Sequence, residues 1–393
     1  MDYLKRAHQL AEEITADRRY LHQYPEIGCD TPKTREYIEK RLADMGCAVS
    51  RVGPGLAAAV GRGNPVILLR ADMDALLMEE ESGLPFASLN PGRAHCCGHD
   101  IHTAMLLGAA RMLKENEDSL KGTVKLMFQP GEETGNGALA MIEAGVLEHP
   151  KPHAAVAFHV DAALPLGRLN YSVGPTFCSN DVFTIRVWGK SGHGARPHQA
   201  VDAINASAHI VTGLETLIAR EAIPTETCML TICSIESDSK VFNVFPKSVT
   251  LTGSIRTYNP DQRACLVRRL EEVVEGIAGS FHCTGQVTFD HCQEPLLVDG
   301  QLETELRGYL EQALGSEARL VEPPIMKMGS EDFAGITMRV PSAYFFIGAG
   351  PDRENGYPYS QHNPKVRFNE DMLPLGAACY AHCACRWLER HSN

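Results

Sequence analysis

Three short apolar runs constrain the fold more strongly than any other feature of this sequence. They occupy residues 65–69, 124–128 and 154–158. All of these residues except Lys125 are apolar, and runs of this kind and length are typical of strands that are buried on both faces of a sheet. Segments with helical periodicity accompany them at residues 4–20, 34–45 and 103–114. Alternating strands and helices predict an α/β fold built on a mainly parallel sheet.

The pattern changes between residues 180 and 292. Periodicity there predicts, in order, a strand at 182–188, a helix at 200–218, strands at 227–235 and 248–256, a helix at 262–281 and a strand at 286–290. The order βαββαβ is that of a ferredoxin-like α+β unit. A helix at 302–314, a strand at 343–347 and a C-terminal helix then return to the first pattern. We expect residues 1–179 and 293–393 to form one domain and residues 180–292 to form an inserted domain.

Composition excludes several classes of partner. The chain has 393 residues, which favours two domains over one small core, and 37 basic against 49 acidic residues give a formal charge of -12. We expect no nucleic-acid or membrane partner, because either would require a basic face. The N-terminus does not resemble a secretory signal, and the apolar runs are too short to span a bilayer. Thirteen cysteines without a disulfide framework indicate thiols in a reducing cytoplasm.

Residues able to bind metal follow the predicted strands. Thiol, imidazole and carboxylate donors are supplied by Cys97, His99, Glu133, His159 and His362. We expect the first four to follow strand ends, where open α/β sheets place their active sites, and residues 350–361 to form a loop that delivers His362. Five such donors are enough for two divalent cations. Singly, each has a plainer interpretation: a Cys-x-His pair is more often a capped turn, and a lone histidine at a strand end is usually a core residue.

Two adjacent carboxylates give the stronger clue. Glu132 directly precedes Glu133, and such a pair repels itself unless a cation or a proton relieves the repulsion. One carboxylate can bind metal while the other takes a proton from water. An exposed acidic turn is the alternative for an isolated pair.

Other polar residues flank these ligands. Asp72 and Asp74 end an apolar strand, where either can cap the strand or orient a ligand. Asp100 is placed to cap the helix that follows it or to hold a ligand. His102, one turn into that helix, is expected to pack or to support a ligand rather than to bind metal.

The inserted domain carries three more candidates. His193 lies in a glycine-flanked loop, residues 189–198, from which it could donate to an oxyanion. Asn243 and Arg256 could bind a carboxylate, the arginine through two parallel hydrogen bonds. Taken singly, each is more typical of a structural turn or a solvated charge.

Six motifs occur in one order along the chain, at residues 21–26, 70–76, 97–104, 128–133, 193–198 and 329–333. Their sequence resembles the hippurate hydrolase and indoleacetyl-amino-acid hydrolase subfamily of the aminoacylase and carboxypeptidase-G metallohydrolases. The resemblance extends from about Leu21 to the C-terminus. Six motifs at family-like spacing are far more specific than any one of them.

The resemblance implies a role for each candidate. It makes Glu132 the general base, Asp74 the residue that orients a ligand, and the inserted domain a lid that forms a homodimer. His193 would then reach the partner's site, while Asn243 and Arg256 hold a substrate carboxylate. The five metal ligands implied are Cys97, His99, Glu133, His159 and His362. Two departures stand out: the family often has alanine at position 131, where this chain has glycine, and Cys96 doubles the cysteine beside Cys97.

The expected activity is metal-dependent hydrolysis of an N-acyl amino acid to a carboxylic acid and a free amino acid. Zn²⁺ or Mn²⁺ is the expected cofactor, with Co²⁺ and Ni²⁺ as further candidates. A dipeptidase or carboxypeptidase using the same two-metal site is the alternative enzyme. A non-catalytic metal- or ligand-binding protein is the alternative of another class. Glu132 argues against it, because a binding protein needs no free carboxylate beside its ligand.

Overall fold

The computed structural model describes residues 1–314, 319–321, 326–350 and 359–392. Its strands, in chain order, are β1 (Ala48–Val52), β2 (Gly55–Gly61), β3 (Val66–Asp72), β4 (Thr123–Gln129), β5 (Ala154–Pro165), β6 (Arg168–Tyr171), β7 (Gly174–Phe177), β8 (Asn180–Trp188), β9 (Gly192–His193), β10 (Cys228–Ser237), β11 (Val244–Phe245), β12 (Ser248–Thr257), β13 (Thr284–Gln293), β14 (Leu296–Val298), β15 (Arg319–Val321) and β16 (Ser342–Gly350).

Its α-helices, again in chain order, are α1 (Tyr3–Gln9), α2 (Ala11–Gln23), α3 (Pro32–Asp44), α4 (His99–Glu115), α5 (Gly137–Glu143), α6 (Ala203–Thr216), α7 (Pro260–Ser280), α8 (Gly300–Leu314), α9 (Ala334–Thr337) and α10 (Met372–His391). The prediction of a single helix over residues 4–20 is wrong, because two helices occupy this range. Leu10, with φ -96° and ψ 4°, leaves helical geometry and separates α1 from α2.

The chain divides into two compact units. The first comprises Met1–Gly174, Leu297–Met326 and Asp332–Asn393, and the second comprises Pro175–Leu296 and Lys327–Glu331. The sequence placed the inserted domain at residues 180–292. The segment 327–331 carries no sequence signal that would assign it to the second unit.

The first unit is built on a mixed sheet with a parallel centre. Its strand order is β1-β2-β4-β3-β5-β16-β6-β15. The central strands β4, β3, β5 and β16 run parallel, while β1, β2 and β6 make antiparallel pairs at the two sides. Every residue of β3, β4 and β16 is buried, as expected for strands with helices on both faces. The predicted α/β class with a mainly parallel central sheet is confirmed.

Helices α4 and α10 fill the core of this unit. Almost all of α4 is buried, from His99 to Leu113, and α10 is buried over most of its length. Both are rich in alanine and leucine, and α4 adds two methionines while α10 adds three cysteines, so they can be apolar on most sides and lie inside the unit. Because α4 is held by this packing, its first residue, His99, has a fixed position.

The second unit is a separate α+β sandwich. Its antiparallel sheet has the order β10-β12-β8-β13, and β12 alternates between buried and half-buried residues. Helices α6 and α7 cover one face, where Ile185, Leu251 and Leu270 are fully buried together. The element order β8-α6-β10-β12-α7-β13 is the βαββαβ order that the sequence predicts. Across the described ranges, we find no helix long and apolar enough to cross a membrane.

Candidate metal centre

The loops that follow β3 and β4 bring carboxylates to one end of the parallel strands. Asp72 is the last residue of β3, and Glu132 and Glu133 follow β4 after a short turn. His159 differs from the expectation, because it does not follow a strand end. It lies within β5, opposite Phe346 of β16, and the pairing of these two strands continues past His159. The end of the apolar run at residue 158 therefore did not mark the end of the strand.

The turn before α4 presents Cys97 and His99 together. Gly98 between them has a φ of 100°, and a Cβ there would lie 2.4 Å from Cγ2 of Val160. Glycine is therefore required both by the backbone conformation and by the close contact with β5. This turn lets a thiol and an imidazole two residues apart face the same centre.

The five candidate ligands come together, although they are spread over 266 positions of the chain. The sets Cys97, His99 and His159, and Cys97, Glu133 and His362, each have ligand atoms within 4.8 Å of one another. Sγ of Cys97 lies 3.5 Å from Nε2 of His159, and Oε1 of Glu133 lies 3.5 Å from Nε2 of His362. Potential ligand atoms this close together can share a bound cation.

Two buried atoms at this centre have no hydrogen-bond partner among the described residues. They are Nε2 of His99 and Oε1 of Glu133, which lie 3.8 Å apart. Nδ1 of His99 lies 2.9 Å from the carbonyl oxygen of Asp74, to which it can only donate, so in the neutral ring Nε2 carries the lone pair. An unpaired buried acceptor is costly unless a cation satisfies it. The donor set and these two orphaned atoms fit a bound divalent metal.

Burial disfavours the charged forms of Cys97 and Glu133. Burial raises the pKa of the Cys97 thiol well above its ordinary value, and the nearby Glu133 carboxylate raises it further. Burial also raises the pKa of Glu133. A bound cation reverses both effects, because it favours the thiolate and the carboxylate.

Asp74 fixes the backbone of the two glutamates. Its carboxylate accepts hydrogen bonds from the N–H groups of Glu132, at 3.0 Å, and Glu133, at 3.2 Å. Oε2 of Glu132 lies 3.8 Å from Nε2 of His99, so this second carboxylate borders the same centre. Asp74 thus holds Glu132 and Glu133 through its side chain, and it holds the ring of His99 through its carbonyl oxygen.

Gly131 precedes the glutamate pair with a φ of 76°. A Cβ at this position would lie 2.6 Å from Sγ of Cys29, closer than atoms can approach without a shift. The glycine at position 131 is therefore matched to the thiol at position 29.

Asp72 and His102 form a buried pair beside the centre. Nδ1 of His102 lies 2.5 Å from Oδ1 of Asp72, and Nε2 accepts the N–H of Val160 at 2.8 Å. Both ring nitrogens of His102 are thereby occupied, which agrees with a supporting residue and not with a ligand. Arg70 donates to the other oxygen of Asp72 at 2.7 Å.

The expectation that Asp100 caps the helix is wrong. The N-terminus of α4 has no side-chain cap. Asp100 instead lies 2.8 Å from Nε of Arg18 and 2.7 Å from Nδ1 of His22. Burial alone would raise the pKa of Asp100, but the charges of Arg18 and His22 hold it well below its ordinary value. Arg18 and His22 thus join α2 to Asp100, the residue that follows His99. His22 also contacts Glu80 at 3.2 Å.

His362 has an unusual backbone conformation. Its φ is 61°, in the left-handed region that costs a residue with a side chain about 1–3 kcal/mol. Its N–H donates to the carbonyl oxygen of Cys96 at 3.0 Å. This bond joins His362 to the loop that carries Cys97. Most of the predicted loop at 350–361 lies outside the described residues.

Cys96 itself is buried in the main core, which raises the pKa of its thiol to about 12.

His193 and Asn243 lie side by side in the second unit. Strands β9 and β11 form a two-stranded ribbon in which Val244 is opposite His193, and the N–H of Gly194 donates to the carbonyl oxygen of Asn243 at 2.7 Å. Nδ1 of the exposed His193 accepts the N–H of Ala195 at 3.0 Å, so a ring proton resides on Nε2.

Arg256 is the third candidate of this unit, and it lies in β12. Its Nη1 donates to the carbonyl oxygen of Met328 at 3.0 Å, and it lies 3.9 Å from Sγ of Cys178. This contact is one of several that join the segment 327–331 to the second unit.

Comparison with known proteins gives consistent relatives over nearly the whole chain. The chain is 37% identical over 380 residues to an IAA-amino acid hydrolase (ILR1-like 4) of Arabidopsis thaliana, covering 94% of this chain and 84% of that protein. It is 34% identical over 368 residues to an N-acetyl-L-cysteine deacetylase of Bacillus subtilis, covering 93% and 85%. It is 33% identical over 388 residues to thermostable carboxypeptidase 1 of Saccharolobus solfataricus, covering 96% of each.

Solved structures show the same fold. An aminohydrolase from methicillin-resistant Staphylococcus aureus superposes with a TM-score of 0.92 and 31% identity, covering 99% of this chain and 100% of that one. The Bacillus subtilis YXEP protein, described as a dinuclear metal-binding peptidase, superposes with a TM-score of 0.82 and 28% identity, covering 97% and 99%. The sequence model described as peptidase family M20/M25/M40 matches residues 68–386. The chain is therefore a member of peptidase family M20/M25/M40.

Proposed function

We propose that this protein is a metal-dependent amidohydrolase that cleaves N-acyl amino acids to a carboxylic acid and a free amino acid. The observation that carries the proposal is the pair of orphaned buried atoms, Nε2 of His99 and Oε1 of Glu133, within a ring of further donors. The names of two relatives, an IAA-amino acid hydrolase and an N-acetyl-L-cysteine deacetylase, support N-acyl amino acids as the substrate class.

Two divalent cations fit the donor set. The residues that would hold them are Cys97, His99, Glu133, His159 and His362. Thiolate and imidazole suit Zn²⁺, and carboxylate also suits Mn²⁺; Co²⁺ and Ni²⁺ suit the same nitrogen and sulfur donors. When bound, such cations polarise the scissile carbonyl and lower the pKa of water at the site.

Glu132 is the general base of the proposed mechanism. Its Oε2 borders the centre at 3.8 Å from Nε2 of His99, and Asp74 holds its backbone N–H. Glu132 takes a proton from the attacking water and later gives it to the leaving amine, so that one carboxylate serves both steps. Glu133 beside it would hold metal, so the two adjacent carboxylates would have separate roles.

The second unit supplies the remaining groups. His193, with its proton on Nε2, donates to the oxyanion of the tetrahedral intermediate. Asn243, on the same ribbon, and Arg256 bind the carboxylate of the amino acid. We propose that residues 180–292 act as a lid and as the dimerisation domain, and that His193 serves the site of the partner subunit.

A carboxypeptidase is the second candidate function. The thermostable carboxypeptidase of Saccharolobus solfataricus, 33% identical over 388 residues, favours it. Both reactions break an amide bond next to an amino acid carboxylate, so the same residues serve either one. The difference lies in whether the pocket accepts an acyl group or a peptide with a free amino terminus.

The decisive experiment measures release of free amino acid from a panel of substrates. Metal-free protein is loaded with Zn²⁺ or Mn²⁺ and incubated with N-acetyl and N-benzoyl amino acids, and in parallel with dipeptides that carry the same C-terminal residue. We expect hydrolysis of the N-acyl amino acids that a chelator abolishes. Faster cleavage of the dipeptides would favour the carboxypeptidase, and no amino acid release from any substrate would contradict both.

The thirteen cysteines are free thiols in the structure. Free thiols in this number support a reducing compartment, and we propose the cytoplasm. The net charge of -12 supports a small-molecule substrate rather than a nucleic acid or a membrane surface.

A further inference from the structure

The carbonyl oxygen of Val160 accepts hydrogen bonds from two side chains. One donor is Nδ1 of His159, at 2.6 Å, and the other is Nε2 of Gln361, also at 2.6 Å. The side-chain oxygen of Gln361 in turn accepts the N–H of Ala162 at 3.3 Å. Gln361 therefore uses both ends of its amide to hold the stretch of β5 that directly follows His159.

Gln361 also precedes His362 in the chain. His362 has a left-handed backbone with a φ of 61°, which persists only when neighbouring contacts hold it. One such contact is the hydrogen bond from its N–H to Cys96, and Gln361 supplies another by attaching the preceding residue to β5. His159 and His362, 203 residues apart, are thus joined through the side-chain amide of Gln361 and the carbonyl oxygen of Val160.

We propose that Gln361 is a positioning residue that sets His159 and His362 relative to each other. This inference rests on the proposed function, in which both histidines bind metal. Because Nδ1 of His159 donates to Val160, the ring directs Nε2 towards Cys97, and any rotation of the Val160 carbonyl turns the ring. Gln361 holds that carbonyl and the backbone of His362 at once. Groups that orient metal ligands in this way typically change metal affinity by 10- to 100-fold when they are removed.

A second set of contacts holds the same residue, Val160, through its backbone N–H. The N–H of Val160 donates to Nε2 of His102, which is fixed by Asp72. That support belongs to α4 and β3 and reaches His159 without involving His362. Loss of Gln361 should therefore loosen the spacing between the two histidines while it leaves the fold and the Cys97 loop in place.

The test compares two Gln361 variants with wild type and with a neighbouring control. Gln361→Met keeps the length of the side chain but removes the donor and the acceptor. Gln361→Glu keeps the acceptor for Ala162 and removes the donor to Val160. Ser360→Ala changes the exposed neighbour in the same loop and serves as the control. Metal-free forms of each protein are titrated with Co²⁺, which reports its ligands through visible absorption.

We expect Gln361→Met to bind at least one cobalt ion about 10- to 100-fold more weakly than wild type, with altered ligand-field bands because the imidazoles move. The thiolate-to-cobalt charge-transfer band should remain, since Cys97 is untouched. Gln361→Glu should give a similar loss, because the donor to Val160 is the essential group. Ser360→Ala should match wild type, and thermal unfolding of the metal-free proteins should confirm that all are folded.

Wild-type cobalt affinities and spectra in both Gln361 variants would overturn the inference. If Gln361→Met does not fold, Gln361→Glu alone decides, because it changes one atom. A purely structural role would lower the unfolding temperature of the metal-free variants without changing their cobalt spectra, and this result would also overturn it. Failure of wild type to bind cobalt with a thiolate band is a different result, which would contradict the proposed metal centre itself.

Discussion

Sγ of Cys97 lies 3.5 Å from Nε2 of His159, although one residue comes from the turn before α4 and the other from the middle of β5. The contact is possible because Gly98 has no side chain and lets the turn approach Val160. Cys96, the adjacent cysteine, packs into the apolar core instead. The structure therefore separates two neighbouring thiols into different environments.

Replacing each cysteine should separate their roles. Cys97→Ser should lose most of its bound metal and its activity, because a serine hydroxyl is a much poorer ligand than a thiolate. Cys96→Ala should keep both and lose only about 1 kcal/mol of stability, as expected for a small change in a buried apolar site. Metal content per chain, measured by mass spectrometry after dialysis, distinguishes them. Equal metal loss in both variants would show that the loop binds metal differently.

Glu132→Gln should abolish turnover while it leaves metal content close to wild type. The amide keeps the shape of the side chain but cannot take a proton, and loss of a general base typically costs 10²- to 10⁴-fold in rate. Glu133→Gln, one residue along, is the matched comparison and should lose metal as well as activity. Metal analysis and initial rates on one N-acyl amino acid provide the check. Loss of metal from Glu132→Gln would make Glu132 a ligand and leave the base unassigned.

Glu80 should stabilise the fold in a pH-dependent way. Burial alone would raise its pKa, but hydrogen bonds from His22, Ser82 and Ser88 lower it to about 2 from 4.5. A carboxylate with a lowered pKa in the folded state contributes stability above its unfolded pKa and loses it as pH falls. Glu80→Gln should therefore reduce the free energy of unfolding near pH 6 by at most about 3 kcal/mol.

Urea unfolding at several pH values tests this prediction. The difference between wild type and Glu80→Gln should shrink as pH falls from about 4.5 towards 2. Glu81→Gln is the control, because the side chain of Glu81 is 56% exposed and its nearest cation, Nζ of Lys365, is 3.7 Å away. Its effect should stay within about 0.5 kcal/mol at every pH. A constant difference for Glu80→Gln across this range would mean that its charge is not what stabilises the fold.

His193 should affect turnover more than substrate affinity. If its Nε2 proton stabilises the oxyanion, His193→Ala should lower kcat by roughly 10²-fold or more, as for other lost oxyanion donors, with a smaller change in KM. His198→Ala, in the same exposed loop, is the comparison and should have a weaker effect. Steady-state kinetics on one N-acyl amino acid give both parameters. A normal kcat for His193→Ala would remove this residue from the mechanism.

Mixing two inactive variants tests whether His193 serves the partner subunit. A hybrid dimer of His193→Ala and Glu132→Gln chains has one intact site only if the histidine acts across the dimer. Activity should then reappear after subunit exchange and approach the level expected for half the sites in the hybrids. Absence of recovery, with exchange verified by mass spectrometry of tagged chains, would place His193 and Glu132 in the same subunit's site.

The sequence predicted the parallel core and the residues that gather at its edge, because buried strands and polar residues at their ends leave a local signal. It did not predict the contacts that orient those residues. Arg18 and His22 reach Asp100 from a helix some 80 positions earlier, and Gln361 reaches Val160 from 201 positions later. Such contacts depend on how separate elements pack, which no local pattern records.

The predictions that were wrong share one physical cause. Asp100 was expected either to cap α4 or to hold a ligand, and the cap does not form because a buried arginine gives the carboxylate a stronger partner. The strand ending at Phe158 was expected to be short, but pairing with β16 carries β5 on to Pro165. In each case a tertiary partner outweighed the local preference. Adjacency to His362 was the one local signal that could have identified Gln361.

The contact between position 131 and Cys29 has a consequence for how such sequences diverge. Alanine at 131 would place its methyl group 2.6 Å from the sulfur and would also have to adopt a φ of 76°, which favours glycine. A change at position 29 removes the first obstacle, and a local change of backbone is needed for the second. A chimaera that takes only the alanine-containing loop of a relative should inherit a clash directly before Glu132 and Glu133, and the residue it clashes with, Cys29, lies about a hundred positions away.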